Sequence, residues 1–256
     1  MKTMRYILIF LSSLFLCSTI NAQADTIVFT NTDYQRMSVV EYQFKPKNLI
    51  LPASLITVGA IGTAIDGMND FHLFSRKDSV DYITRVDDYL EWGMLGWVFA
   101  CDLLGKEKHH WVDQLFIVCM AEGINAVMVQ GLKRIVNEQR PDGRTHAFPS
   151  GHTANSFLGA HIAYKEFKES SPVLAYSGYA VALGVAGLRI HKNRHWVADV
   201  IGGAGFGILS VELAYLSYFP IRNAIAQKIN LKASNRLVVV PILGIEHKGF
   251  YLSYSF

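Results

Sequence analysis

Four long stretches with almost no charged residues constrain this 256-residue chain more than any other feature. Two of them carry no charge and two carry a single glutamate. They run over residues 48–65, 114–132, 170–188 and 200–220. As a helix, each is long enough to cross a hydrocarbon core of roughly 30 Å, although glycine, alanine and serine make it only moderately apolar. A water-soluble helical bundle could contain the same segments. The pattern therefore predicts helices and leaves open whether lipid or water surrounds them.

Two shorter helical patterns, at residues 86–104 and 153–169, raise the expected number of helices to six. Gly203 and Gly207 are spaced for close packing of one helix against another. The sequence therefore predicts an all-α fold: a six-helix bundle over residues 48–222, associated with a membrane.

The two ends of the chain differ from this central region. Residues 1–24 have the plan of a secretory signal peptide, with two basic residues, an apolar run and a small-x-small cleavage site, although an uncleaved anchor is the alternative. Residues 25–47 form a polar N-terminal extension. Residues 235–256 contain two β-branched and aromatic runs around a polar turn, which predicts a small C-terminal β-hairpin.

The net charge gives no support to nucleic-acid binding. The whole chain carries +3, but residues 1–24 hold Lys2, Arg5 and no acid, so their removal leaves +1. Nucleic-acid binding normally needs a basic face or stripe. Any recognition of an anion must therefore be local.

A first local cluster consists of Lys133 and Arg140, which are seven residues apart and precede Pro141. On a helix that continues to the proline, seven residues make two turns and place both cations on one face. Such a pair suits an anion with several oxygens. A solvated basic face shared with Arg134 is the simpler alternative for this cluster alone.

A second cluster is the turn from Phe148 to Thr153. Ser150 is a natural N-cap, Gly151 lets a ligand approach the backbone, and the new helix directs its first N–H groups at that ligand beside His152. This geometry predicts an anion site with an imidazole next to it. An ordinary capped turn with an exposed histidine is the alternative.

The third cluster contains Arg189, His195 and Asp199. A histidine and an aspartate four residues apart are neighbours on a helix, so the carboxylate can orient the imidazole for reaction. A surface pair or two metal ligands would show the same spacing. Together, the three clusters supply the cations, helix terminus and histidines needed to hold and attack a phosphoryl group.

In these residues the chain resembles the type 2 phosphatidic acid phosphatase superfamily. The motifs of that superfamily are Lys-x6-Arg-Pro, Pro-Ser-Gly-His and Ser-Arg-x5-His-x3-Asp; here they stand at residues 133–141, 149–152 and 188–199. The resemblance covers about residues 90–220, and one motif position differs, with Leu188 in place of serine.

The resemblance implies a role for each matched residue. Phosphate would be bound by the cations Lys133, Arg140 and Arg189 and by hydrogen bonds from Ser150 and the Gly151 amide. His195 would attack phosphorus and form a phosphohistidine, Asp199 would orient it, and His152 would protonate the leaving oxygen. The resemblance implies no metal and no other cofactor, because the fixed cations neutralise the phosphate.

The expected function is an exported phosphatase of the inner membrane with its active site facing the periplasm. Its expected partners are the membrane and a lipid phosphate: lipid A phosphate, undecaprenyl diphosphate or a phosphatidate-type lipid. Three alternatives remain at this point. They are a vanadate-dependent haloperoxidase, a non-catalytic lipid-phosphate-binding membrane protein, and a zinc hydrolase using His152, His195 and Asp199. Oligomeric state does not follow from the sequence.

Overall fold

The computed structural model describes residues 44–65, 85–102, 108–233, 237–243 and 248–254. Within these residues the prediction of six α-helices is confirmed. The helices are α1 Ile50–Ala64, α2 Val86–Asp102, α3 Trp111–Val136, α4 Gly151–Phe167, α5 Pro172–His191 and α6 Val197–Ala233. A 3-10 turn, Pro46–Leu49, leads into α1. The predicted signal segment, residues 1–24, and most of the N-terminal extension lie outside the described residues.

Four of the described helices are long and apolar enough to cross a membrane. They coincide with the four stretches that the sequence analysis identified and run over Pro46–Ala64, Trp111–Val136, Pro172–His191 and Val197–Ile225. Large apolar side chains on these helices point outward; Val127, for example, is 76% exposed and Val173 is 79% exposed. A water-soluble fold rarely leaves so many such side chains uncovered, so the pattern supports a membrane protein.

Helix α4 is the element around which the site is built. It packs against α2, α3 and α5, and small side chains on it, such as Ala154 and Ala160, are fully buried. Two glycines of α6 permit a close approach to α4 and to the turn before it. A Cβ at Gly203 would lie 2.6 Å from the carbonyl oxygen of Ser150, and one at Gly207 would collide with the carbonyl of Ala154. The predicted role of this glycine pair in helix packing is therefore confirmed.

The end of α3 corrects one expectation. The spacing of Lys133 and Arg140 suggested a helix that runs to Pro141, but α3 ends at Val136. Asn137 adopts the left-handed conformation (φ 45°, ψ 37°) and its N–H caps the carbonyl of Lys133. Asparagine tolerates this conformation better than most residues, which explains the early end. Arg140 therefore lies on the loop after α3.

The last described residues form two strands, β1 Leu237–Leu243 and β2 Lys248–Tyr254. They pair antiparallel, with Leu237 opposite Tyr254 and Leu243 opposite Lys248. The assignment of residues 235–256 as a separate C-terminal unit stays a prediction, as do the other domain bounds.

Candidate active site

His195 and Asp199 form a buried pair at the start of α6. His195 is 2% exposed and Asp199 is fully buried, with 3.2 Å between His195 Nδ1 and Asp199 Oδ2. The same Oδ2 accepts a hydrogen bond of 2.9 Å from the N–H of Trp196, which fixes the carboxylate. His195 precedes the first helical residue, so the two side chains are not on one helix face as expected. The contact holds the imidazole through Nδ1, so Nε2 is the nitrogen outside this pair.

The turn before α4 is tied directly to this pair. The N–H of Ser150 donates to the backbone carbonyl of Asp199 over 3.0 Å. Ser150 occupies the N-cap position, as expected, but its hydroxyl makes no capping bond and instead accepts from the hydroxyl of Thr153. Because α4 begins at Gly151, its first amides point toward the same region. The second and third sequence clusters therefore meet in space.

The cations of the first cluster also converge, although they do not share a helix. Lys133 Nζ donates to the carbonyl of His146 over 2.9 Å, and Arg140 Nη2 reaches the same oxygen at 3.3 Å. Nε of Arg140 is buried and has no hydrogen-bond partner among the described residues. A buried donor without a partner is costly, and an anion at this position would satisfy it.

Arg189 lies at the end of α5 and is held from α2. Its Nη1 donates to Asp87 Oδ2 over 2.5 Å, and Lys192 Nζ donates to the other carboxylate oxygen over 2.6 Å. Burial alone would raise the pKa of Asp87, but the hydrogen bonds from Lys192 and Arg189 lower it to about 2. Nε of Arg189 is buried and unpartnered within the described part of the chain, as is that of Arg140.

His152 lies in the first turn of α4 and contacts two acids of α2. Its Nε2 is 2.7 Å from Asp88 Oδ1 and 3.1 Å from Glu91 Oε2. Burial lowers the pKa of His152, Arg189 lowers it further, and the hydrogen bond to Asp88 opposes both. Burial also raises the pKa of Glu91 to about 7. Like His195, His152 is therefore held by carboxylate through one nitrogen.

The environment of His195 favours a neutral imidazole. Burial lowers its pKa well below the usual value, and the cations Lys133 and Arg189 lower it further. A neutral ring with its Nδ1–H held by carboxylate keeps a lone pair on Nε2 at neutral pH. Such a group is suited to nucleophilic attack next to bound anionic oxygens.

All eight residues predicted for the site lie in the described part of the chain. Lys133, Arg140, Arg189 and His152 lie close enough to His195 to lower its pKa, whereas their hydrogen bonds go to other groups. The three acids of α2, Asp87, Asp88 and Glu91, were missed by the sequence analysis. The signal that could have revealed them is their position in the first turns of an otherwise apolar segment, where three acids need partners. By distance alone, Asp87, Asp88 and His152 could hold a metal ion. Asp87 is already paired with two cations, so this group fits a metal poorly.

Comparisons with known proteins agree with the sequence motifs. Residues 142–222 match the family model described as the PAP2 superfamily, which is the type 2 phosphatidic acid phosphatase superfamily. The match contains the second and third clusters. The resemblance is thereby confirmed for this domain, and Lys133 and Arg140 lie just before it.

A curated relative is the lipid A 1-phosphatase of Porphyromonas gingivalis. It is 38% identical over 112 residues, which make up 43% of this chain and 25% of the relative. The chain therefore matches about a quarter of the relative's length. Among solved structures, the transmembrane PAP2 type phosphatidylglycerolphosphate phosphatase from Bacillus subtilis is 17% identical. The alignment covers 87% of this chain and 96% of that one with a TM-score of 0.32, a superposition too loose to carry an argument.

Proposed function

Because residues 142–222 match the PAP2 superfamily model, we propose that this chain is a phosphatase acting on a lipid-borne phosphate. One observation carries the proposal: the buried Nε atoms of Arg140 and Arg189 have no partner among the described residues, and both guanidinium groups lie close enough to the carboxylate-held imidazole of His195 to lower its pKa. Fixed cations around a neutral nucleophile are what phosphoryl transfer requires, since catalysis there is mainly positioning and charge stabilisation.

The mechanism we propose uses these contacts. Nε2 of His195 attacks phosphorus, a phosphohistidine forms, and Asp199 holds the imidazole in place through Nδ1. His152 gives a proton to the leaving oxygen, and water then releases phosphate. The phosphate oxygens are bound by Lys133, Arg140, Arg189, Ser150 and the Gly151 amide. These cations neutralise the transferred group, so the proposal includes no metal.

The substrate we propose first is the phosphate of lipid A. The name of the curated relative supports this choice, and the four apolar helices support a substrate that lies in a membrane. Undecaprenyl diphosphate and phosphatidate-type lipids carry the same phosphoryl chemistry and remain in the proposal. We further propose that residues 48–222 form the catalytic unit and that the protein is exported to the inner membrane with a periplasm-facing site.

The test is a phosphate-release assay on the full chain in detergent micelles, with the three lipid classes as substrates. Wild type should release phosphate from at least one of them, and His195→Ala should lose about 10⁴-fold or more because it lacks the nucleophile. A phosphohistidine trapped by rapid acid-free quenching of the wild type would identify the intermediate.

Further arms separate the alternatives. His247→Ala, which changes a histidine outside every motif, should keep full activity and serves as the matched control. Loss of activity with a chelator would indicate a zinc hydrolase, and bromide oxidation by the vanadate-loaded protein without ester hydrolysis would indicate a haloperoxidase. Full turnover by His195→Ala would overturn the mechanism, and absence of release by wild type from all three lipids would overturn the proposed activity.

A further inference from the structure

The first turns of α2 add a fourth element to the site, one that lies outside the three sequence motifs. Asp87 is 1% exposed and bridges Arg189 and Lys192, as described above. Asp88, the next residue, and Glu91, one turn further along, reach Nε2 of His152 from the same helix. These acids therefore contact two groups that the proposed reaction uses.

Carboxylates contact the two histidines of the site at different ring nitrogens. Asp199 contacts His195 at Nδ1, so Nε2 is its reacting nitrogen. Asp88 and Glu91 contact His152 at Nε2, so Nδ1 is the nitrogen left to exchange a proton with a substrate. A carboxylate on one imidazole nitrogen selects the tautomer and direction of the other.

Of the two acids, Asp88 makes the hydrogen bond to Nε2, and Glu91, at 3.1 Å, is the more deeply buried. The side chain of Asp88 is 51% exposed, so solvent screens its charge, whereas that of Glu91 is 10% exposed. Glu91 is also anchored on its far side. Asn155 Nδ2 donates to Glu91 Oε1 over 2.5 Å, and Asn125 Nδ2 donates to Asn155 Oδ1 over 2.5 Å. This chain of amides links α3, α4 and α2 and gives the carboxylate one orientation.

We propose that Glu91 is a positioning residue that holds His152 by Nε2–H and directs Nδ1–H toward the leaving oxygen of the substrate. The inference rests on the proposed phosphatase function and deepens it. It assigns a task to a residue that belongs to none of the three motifs.

Both proton transfers of the proposed reaction involve His152, which first gives up a proton and then regains one. In the first step the bond from His195 Nε2 to phosphorus forms, the bond to the leaving oxygen breaks, and the proton on His152 Nδ1 passes to that oxygen. In the second step water attacks phosphorus, the bond to His195 breaks, and a proton of the water returns to Nδ1. In both steps Asp88 keeps its hydrogen bond to Nε2–H, and Glu91 keeps its 3.1 Å contact with the same nitrogen and stabilises the charged ring.

Besides the carboxyl group of Glu91, which lies 3.1 Å from Nε2, several charged groups face His152. They lie on α2, on α5 and on the loop before α6, and they are Asp87, Asp88, Arg189 and His195. Burial and Arg189 lower the pKa of His152, whereas Asp88 and Asp87 raise it. Because Glu91 contacts the same nitrogen as Asp88, we expect it to act in the same direction, so Glu91→Gln should make His152 lose its proton at lower pH.

The experiment compares wild type with Glu91→Gln over a range of pH in the phosphate-release assay. We expect kcat to fall about 10- to 100-fold and KM to stay within about twofold, since general acid catalysis contributes on this order. The alkaline limb of the kcat profile should move about one pH unit lower. Glu91→Asp should restore part of the limb's position. Glu122→Gln changes a half-buried acid of α3 that lies near Glu91 and makes no ion pair with His152 in the described part of the chain, and it should leave the limb in place.

The outcomes separate this inference from others. A fall in kcat with an unmoved alkaline limb would mean that Glu91 is only structural, and a rise in kcat would mean that the acids of α2 block the site; either result overturns the proposal. If wild type releases no phosphate, the proposed function fails, and NMR titration of ¹⁵N-labelled His152 then tests the inference alone. A lower His152 pKa in Glu91→Gln supports it, and an unchanged pKa overturns it. Melting curves in the same detergent show whether each variant is folded.

Discussion

The two ends of α4 carry charged clusters that differ in whether their buried polar atoms have hydrogen-bond partners. The first turn faces the active site, where Arg140 and Arg189 each keep a buried Nε without a described partner. About 14 Å further along the helix, His161 and Lys165 meet Glu212 of α6. There Glu212 Oε1 is 2.8 Å from His161 Nε2, and its Oε2 accepts from Lys165 Nζ over 2.8 Å. His161 Nδ1 contacts the hydroxyl of Tyr179 at 2.5 Å.

The difference lies in how completely each cluster is satisfied. Around Glu212, both carboxylate oxygens and both imidazole nitrogens have partners, which is the usual condition for charge inside a low-dielectric interior. At the other end, the buried Nε donors of Arg140 and Arg189 have no partner among the described residues. A buried cluster whose polar atoms all have partners in the protein stabilises the fold, whereas a buried cluster with unpartnered donors is arranged for a ligand. The predictions below test this contrast.

The largest effect should come from removing a cation at the incomplete end. Arg189→Met deletes a donor to the transferred phosphate, and we expect kcat/KM to fall about 10³-fold, as for the loss of one preorganised donor elsewhere. The matched change at the other end is Lys165→Met, whose folded fraction should keep kcat/KM within about threefold. Both are measured with the phosphate-release assay. Equal losses in the two variants would contradict the division between the ends.

A smaller effect, on stability, should come from breaking the closed cluster. Glu212→Gln leaves Lys165 buried without its counter-charge, which should lower the free energy of unfolding by about 3 kcal/mol. For a chain of this size the loss corresponds to about 10 °C in Tm, measured by a thermal melt in detergent. The control Glu169→Gln removes an exposed acid 3.6 Å from Lys108 and should change Tm by less than about 1 °C. An unchanged Tm in Glu212→Gln would show that the cluster is not structural.

The smallest effect should be a shift in pH dependence. The pKa of His195 is lowered first by burial and then by Lys133. Activity should therefore persist below pH 6.5 and fall only when the imidazole finally protonates. Lys133→Gln removes one repelling charge, so the pKa of His195 should rise and the acid limb of kcat/KM should move about one unit higher. Lys168→Gln, an exposed cation at the other end of α4, should leave the limb in place. A shift to lower pH in Lys133→Gln would reverse the assigned sign.

Much of the fold could be read from the sequence because apolar length is a local property. The four uncharged stretches and the two shorter patterns correspond to the six helices, with ends displaced by a few residues. The early end of α3 could not be read from spacing alone, because it depends on the backbone conformation of Asn137. That local break changes how Lys133 and Arg140 meet, from one helix face to a shared carbonyl of His146.

The sequence by itself identified the candidate reacting groups, because the members of each cluster lie close together in the chain: the two cations before Pro141, the turn before α4 and the His195–Asp199 pair. Only the tertiary structure decided what surrounds them. Asp87 lies 102 residues from Arg189, and Asp88 lies 64 residues from His152, so no local pattern connects these pairs. Helix packing brings α2 against α4 and α5, and burial then makes each distant charge contact strong. The candidate reacting groups lie in short motifs, whereas the acids that orient them and set their charge come from distant parts of the helix bundle.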